Sequence, residues 1–204
     1  MRALVLVEPG KTEIRDIPMP VPTDEEVLLR IGMVGFCGGD LNGFKGLFEM
    51  QEYPNVLGHE VGATIETTGK NVPASFTSGM KVTLNPYLNC GVCIACLKGR
   101  PNPCVDNKTM GVRRPGAMTE YIAVSWKKLH ASATLSYKEL ALVEPLTVGF
   151  HAANRGRVQA GDKVLVMGCG IVGLGAIAGS LNNGAAVFAA DISDYKTGIA
   201  KAVG

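Results

Sequence analysis

The chain has almost no charge of one sign to spare. Twenty basic residues stand against eighteen acidic ones over 204 positions, a net of +2, and the two signs are well mixed. The doublets Arg113-Arg114 and Lys127-Lys128 are too short to track a phosphate backbone, so no nucleic-acid partner is expected. Long hydrophobic runs are also scarce. Met1–Val7 is too short for an export signal and is followed at once by Glu8, Pro9 and Gly10, so a cytoplasmic protein is expected. Val164–Leu181 carries no charge and includes Gly175-Ala-Ile-Ala-Gly179, a small-residue spacing seen in packed membrane helices. It falls short of the ~20 residues of a comfortable span and is broken by glycine, so a buried strand, tight turn and buried helix fit it better than a membrane segment. Internal repeats and low-complexity segments are absent as well. An apolar content of 47% with 19% charged residues describes a globular chain.

Against this background the cysteines stand out. Cys90, Cys93, Cys96 and Cys104 have the close spacing with which thiolates converge on one tetrahedral centre. Two disulfides are the competing reading. They require an oxidising compartment, for which the N-terminus gives no support. Four thiolates leave no open position for a substrate, so the expected role is a structural zinc site.

The texture of the chain changes near residue 135. Before it, short apolar runs alternate with Gly, Pro and Asn. Strands are expected at Ala3–Val7, Val27–Val34, Val61–Thr67 and Lys81–Leu84. After it, Ser136–Arg155 reads as a helix that Pro145 kinks or divides. Lys163–Met167 then reads as a buried strand, Ile171–Asn182 as a helix, and Ala185–Ala190 as a second buried strand. This is the opening of a βαβ unit, and the fold class is α/β with a β-rich N-terminal domain.

The turn inside that unit reads Gly168-Cys-Gly170-Ile171-Val172-Gly173, and Asp191 closes the next strand. The first glycine permits the sharp turn, the second lets a pyrophosphate approach, and the third lets helix pack on strand. Phosphate oxygens would lie against the helix N-terminus. Asp191 would accept hydrogen bonds from the adenosine ribose and repel a 2′-phosphate, which favours NAD.

A third, scattered set comprises Cys37, Asp40, His59, Glu60 and Glu144. A thiolate, an imidazole and a carboxylate with room for water make an open, Lewis-acidic zinc site. Taken singly each is ambiguous, because a lone Cys is usually an inert core residue and a lone His a satisfied polar group. His130 and His151 carry only that second meaning.

Taken in order, Cys37-Gly-x-Asp40, Gly58-His59-Glu60, the four-cysteine lobe, Glu144-Pro145 and the glycine-rich turn resemble the zinc-dependent medium-chain alcohol dehydrogenases. The resemblance is greatest to the sorbitol dehydrogenase group acting on polyols, sugar acids and threonine. It implies a GroES-like β-barrel catalytic domain over residues 1–147 with a structural zinc lobe at about 86–106. Residues 148–204 would begin a Rossmann doubly wound parallel sheet, with the active site in the cleft between the domains. By the same resemblance Cys37, His59, Glu60 and Glu144 approach the catalytic zinc and Asp40 orients the histidine. The implied reaction transfers hydride between a secondary alcohol and NAD, in a homodimer or homotetramer with two zincs per chain. Glu144, where other family members carry cysteine, points to polyol-type substrates.

Two positions depart from the family pattern. Gly39 stands where a Ser or Thr hydroxyl begins the proton relay, and Asn42 replaces a relay histidine. They motivate an alternative: a non-catalytic or regulatory member that keeps zinc and nucleotide. The Rossmann pattern also stops short, so a fragment of a longer protein is expected, with Val164–Val166 and Val187–Ala190 on unpaired sheet edges that invite association.

Overall fold

A computed structural model describes Met1–Gly204. It comprises two compact units, Met1–Ala141 and Leu142–Gly204.

The first unit is built on a long central strand. β1 (Arg2–Glu8), β2 (Lys11–Asp16) and β3 (Glu26–Gly35) are followed by a short helix, α1 (Gly38–Phe44). Then come β4 (Asn55–Val56), β5 (Glu60–Thr68) and β6 (Lys81–Leu84). β7 (Tyr87–Leu88), the single turn α2 (Ile94–Leu97) and β8 (Lys108–Thr109) form the excursion around the four cysteines. β9 (Tyr121–Ser125) and β10 (Leu129–Ala131) complete the sheet. Its five strands run in the order β10-β6-β5-β3-β9, and β2-β1-β4 form a second sheet. Every pairing in these two sheets is antiparallel. Register shifts at Leu28/Leu29 and Ile31/Met33 bend β3 against β5, as bulges do where a sheet curls. β2, β9 and β10 were not anticipated from the sequence.

Alternation along the strands makes the core. Val27 and Leu29 of β3 pack with Val61, Ala63 and Ile65 of β5, all fully buried, and with Val82, Ile122 and Val124. Each of the Val, Leu and Ile side chains contributes about 1.5–3 kcal/mol by leaving water. β5 is buried on both faces through Ile65, because Tyr137 covers its other side. Any Cβ on Gly62 would strike the Tyr137 backbone, and the Thr64 and Tyr137 hydroxyls hydrogen-bond at 2.6 Å.

α3 (Tyr137–Arg155) opens on a capping box. The Ser136 N–H and hydroxyl donate to Glu139 Oε2, at 2.8 and 2.6 Å, and the Glu139 N–H donates back to Ser136 Oγ. The helix is not divided at Pro145 but passes through it. The division between units falls inside this helix, at Ala141/Leu142.

In the second unit β11 (Lys163–Met167) and β12 (Ala186–Ala190) pair in parallel, Val164 opposite Val187. α4 (Ile171–Asn182) and α5 (Asp194–Val203) follow the respective strands. Cys169, Ile177 and Ala200 are buried, with Val166, Leu174 and Val187 packed against them. The expectation of two buried strands is corrected here. Leu165, Met167 and Phe188 are 62%, 82% and 59% exposed. The period of two sends them to the sheet face opposite Val166 and Val187, and no element of this unit covers that face. No helix is long and apolar enough to cross a membrane. Val164–Leu181 is divided into strand, turn and helix.

Candidate functional site

The end of β3 and the start of β5 are paired, Gly35 opposite Glu60. α1 begins immediately after β3, and Cys37 is its N-cap. These local facts bring one ligand atom each of Cys37, His59 and Glu60 within 4.8 Å of one another. Asp40 ties the two segments together. Its Oδ2 accepts from the Cys37 N–H at 3.0 Å, closing a capping box, and its Oδ1 accepts from the Gly58 N–H at 3.3 Å. Gly58 holds φ = +94° to present that N–H, a backbone conformation few other residues tolerate. Asp40 Oδ1 stands 4.0 Å from His59 Nδ1, beyond hydrogen-bond reach. His59 is 9% exposed and its Nδ1 has no hydrogen-bond partner. A buried polar atom left unpaired beside a thiol and a carboxylate is the donor set that zinc takes. Gly35 completes the arrangement, because a Cβ there would fall on the Glu60 carboxylate.

The other four cysteines form a second cluster. All are free thiols, with ligand sulfurs within 4.8 Å of one another and Cys90 Sγ 4.0 Å from Cys96 Sγ. Thiolates bonded to one zinc at ~2.3 Å stand about 3.8 Å apart in a tetrahedron, so the cluster fits that ion. Backbone donors already point at the sulfurs. The Cys90 N–H donates to Cys104 Sγ at 3.3 Å and the Cys93 N–H to Cys90 Sγ at 3.4 Å. Backbone N–H groups of Cys96 and then Val105 hold the Cys93 thiol down at about 6.

The glycine-rich turn joins β11 to α4. Gly168 has φ = +98°, and a Cβ on Gly168 or Gly170 would meet open space. A Cβ on Gly173 would strike the Gly168 carbonyl. The first two glycines therefore leave the surface clear and the third lets helix approach turn. Gly170 caps α4 with no side-chain hydrogen bond, so no capping side chain takes the first helical N–H groups, at Ile171 and Val172. Asp191 Oδ2 accepts from the Cys169 N–H at 2.8 Å and its Oδ1 from the Ser193 N–H at 2.9 Å. These two bonds, the Cys169 bond foremost, hold its carboxyl below the usual range. Asp191 thus braces the turn itself, a role the sequence did not suggest. Each oxygen keeps a lone pair for a further donor.

Of the residues singled out from sequence, Cys37, His59 and Glu60 are brought together with Asp40 behind them, as are the four lobe cysteines. Glu144 lies on α3 in the second unit and is buried. Gly35 was missed, and Gly58 was read only as part of the Gly58-His59-Glu60 run, without the positive φ its role requires. The only signal for Gly35 was its place opposite Glu60, which requires the pairing register.

Comparison with known proteins gives one family model, the alcohol dehydrogenase GroES-like domain, matched over residues 23–134. The chain is 36% identical over 193 residues to L-galactonate-5-dehydrogenase of Escherichia coli, covering 95% of this chain and 56% of that protein. It is 35% identical over 211 residues to sorbitol dehydrogenase of Bacillus subtilis, covering 100% and 59%. A solved NAD-dependent alcohol dehydrogenase superposes with a TM-score of 0.90 at 32% identity, covering 100% of this chain and 62% of that one. The chain thus spans under two thirds of each of these proteins.

Proposed function

The chain belongs to the alcohol dehydrogenase GroES-like domain family, and from that premise we propose a zinc-dependent oxidoreductase that transfers hydride between a secondary alcohol and NAD. The observation that carries this reading is the meeting of Cys37, His59 and Glu60 within 4.8 Å, braced by a buried carboxylate. Polyols and sugar acids are the proposed substrates, as the names of the relatives suggest.

Two zincs per chain are proposed. Cys37, His59 and Glu60 would hold the first; the family resemblance adds Glu144 as a further carboxylate, an assignment that rests on the resemblance. Cys90, Cys93, Cys96 and Cys104 would hold the second, as a structural clip. When bound, the first zinc supplies a Lewis acid that makes an alcohol proton easier to lose, and NAD accepts the hydride. The chain's own residues do the positioning. Asp40 fixes the helix start that carries Cys37 and the turn that carries His59. Glu60 is the proposed proton carrier, since Gly39 has no hydroxyl and Asn42 does not titrate near neutral pH. Gly168, Gly170 and the Ile171–Gly173 helix start would cradle the pyrophosphate. Asp191, ionised and held in place, would accept from the ribose and disfavour a 2′-phosphate, which supports NAD over its phosphorylated form. Four reduced thiols suit a reducing, cytoplasmic location, and a homo-oligomer is proposed from the family resemblance.

The second reading, a member that binds zinc and nucleotide without turnover, is favoured by Gly39 and Asn42. The deciding experiment follows NADH formation by zinc-replete full-length protein over a panel of polyols, sugar acids and threonine. Turnover supports the dehydrogenase. Saturable NADH binding at full metal occupancy, with no turnover across the panel, supports the second reading.

A further inference from the structure

The two basic doublets do not act as pairs. Arg113 turns outward to Glu52, 3.7 Å away, and Lys127 lies over the Trp126 ring at 5.6 Å. Their neighbours Arg114 and Lys128 turn into one cavity of about 80 Å³ in the first unit, beside the four-cysteine lobe. A water needs about 10–15 Å³ by this measure, so there is room for several waters or one small oxyanion. Leu84, Leu88 and Val124 are the cavity's apolar residues, with Ser125 and Glu26 also at its wall.

The positive charges in this cavity are only partly offset within it, by the Glu26 carboxylate, which favours the charged form of Arg114. Arg114 Nε is buried and has no hydrogen-bond partner, an arrangement proteins avoid unless something else accepts. Its backbone is fixed, with the carbonyl taking the Gly111 N–H at 2.9 Å and the Asn55 amide at 3.3 Å. These bonds fix the Arg114 main chain, from which its side chain reaches the cavity wall. Lys128 Nζ donates to Asn89 Oδ1 at 3.3 Å and keeps further donors. Burial pulls both cations below their ordinary pKa values, and for Lys128 the charge of Arg114 adds to the effect. Glu26 is the one acid at the cavity wall. It forms no ion pair with either cation, and its Oε2 accepts from the Thr23 N–H at 3.0 Å. Two cations against one carboxylate leave a single positive charge.

We propose that this cavity is a binding site for a phosphate group, held by the Arg114 fork and the Lys128 ammonium. A planar guanidinium beside a mobile ammonium is a pairing suited to phosphate oxygens. Glu26 refines the choice, because a phosphate that keeps a proton can donate to it, whereas sulfate has no proton to offer. Bound there, the anion would link the segment before β9 to Lys128. Through Lys128 and Asn89, whose amide donates to Cys96 Sγ at 3.6 Å, it would also reach the lobe.

The test is calorimetric titration of the zinc-loaded chain with inorganic phosphate, glycerol 1-phosphate and sulfate at constant ionic strength. Saturable phosphate binding is expected, weakened about ten- to a hundredfold by Arg114→Gln or by Lys128→Gln, since each removes one charged donor. Arg113→Gln, an exposed charge next in sequence, is expected to change it by less than about twofold. Tighter binding of the ester would identify a phosphomonoester as the occupant, and equal or weaker binding free phosphate. Circular dichroism and zinc content establish that each variant is folded, and two independent variants guard against the loss of one. No saturable phosphate binding, or equal loss in Arg113→Gln, overturns the site. Sulfate binding as tightly as phosphate overturns the part assigned to Glu26.

Discussion

Asp40 is 2% exposed and receives two backbone N–H groups, from Cys37 at 3.0 Å and Gly58 at 3.3 Å. Asp40→Ala removes both acceptors and leaves two donors in a place water does not reach. Hydrogen bonds to a charged group contribute roughly 1.5–3 kcal/mol each. Taking the longer one at the low end, the substitution should cost about 3–5 kcal/mol. That is a large part of the ~5–15 kcal/mol that holds a domain together. Asp40→Asn is sterically matched but offers one oxygen where two are needed, and turns an NH₂ toward a backbone donor. It should cost about half as much. Urea unfolding measures both, provided the slope is the same as in the parent so that only stability has changed. The same variants should weaken zinc at the Cys37–His59–Glu60 cluster, because the carboxylate fixes both segments that carry it. Asp40→Ala within about 0.5 kcal/mol of the parent would refute the bracing role, a change typical of an unimportant surface site. So would Asp40→Asn costing as much as Asp40→Ala.

Three further outcomes are expected. Gly39→Ser places its Cβ 3.7 Å from Cys37 Sγ, an ordinary contact, so it should stabilise α1 by about 0.5 kcal/mol and leave turnover equal or higher; a loss of turnover contradicts the relay argument. Gly35→Ala should push the Glu60 carboxylate aside and weaken zinc at that cluster by about tenfold, read by competition with a chelator, while the lobe zinc is unaffected. Cys93 in the metal-free chain should react with iodoacetamide at a rate that falls as pH drops through about 6, not through the ~8.5 of an ordinary thiol. The sign follows from the lowered pKa: the thiolate and the stability it brings are present above the ordinary value and are lost as pH falls through about 6. Zinc should protect Cys93, and a profile centred near 8.5 would remove the role given to the Cys96 and Val105 N–H groups.

What was legible in the sequence follows from how locally each feature is determined. β3, β5 and β6 declared themselves because alternation against one core leaves a period-two record, and the four cysteines because their spacing alone nearly fixes their distances. The glycine-rich turn was readable down to the separate duties of Gly168 and Gly173, since both depend on a short strand–turn–helix path. β2 escaped because its outward residues are polar and Ile14 is 66% exposed, so no hydrophobic signal marks it. β9 and β10 are short and are recruited by partners far away in sequence. The buried-strand expectation for β11 and β12 failed because an apolar run states what a strand prefers, not what is present to cover it. The bracing by Asp191 and Asp40 lay out of reach, because it consists of carboxylates meeting particular backbone N–H groups. Arg114 and Lys128 were passed over as doublets too short to matter, and only three dimensions separate the outward member of each from the inward one.

The proposed function assigns two separate metal centres to different work, one to chemistry and one to the fold. Zinc content per chain, measured on the parent, Cys37→Ala and Cys93→Ala, tests it most directly. Two zincs are expected in the parent and one in each variant, with Cys37→Ala keeping its fold and Cys93→Ala losing stability. One zinc in the parent, or both zincs and the fold lost together in either variant, would contradict it.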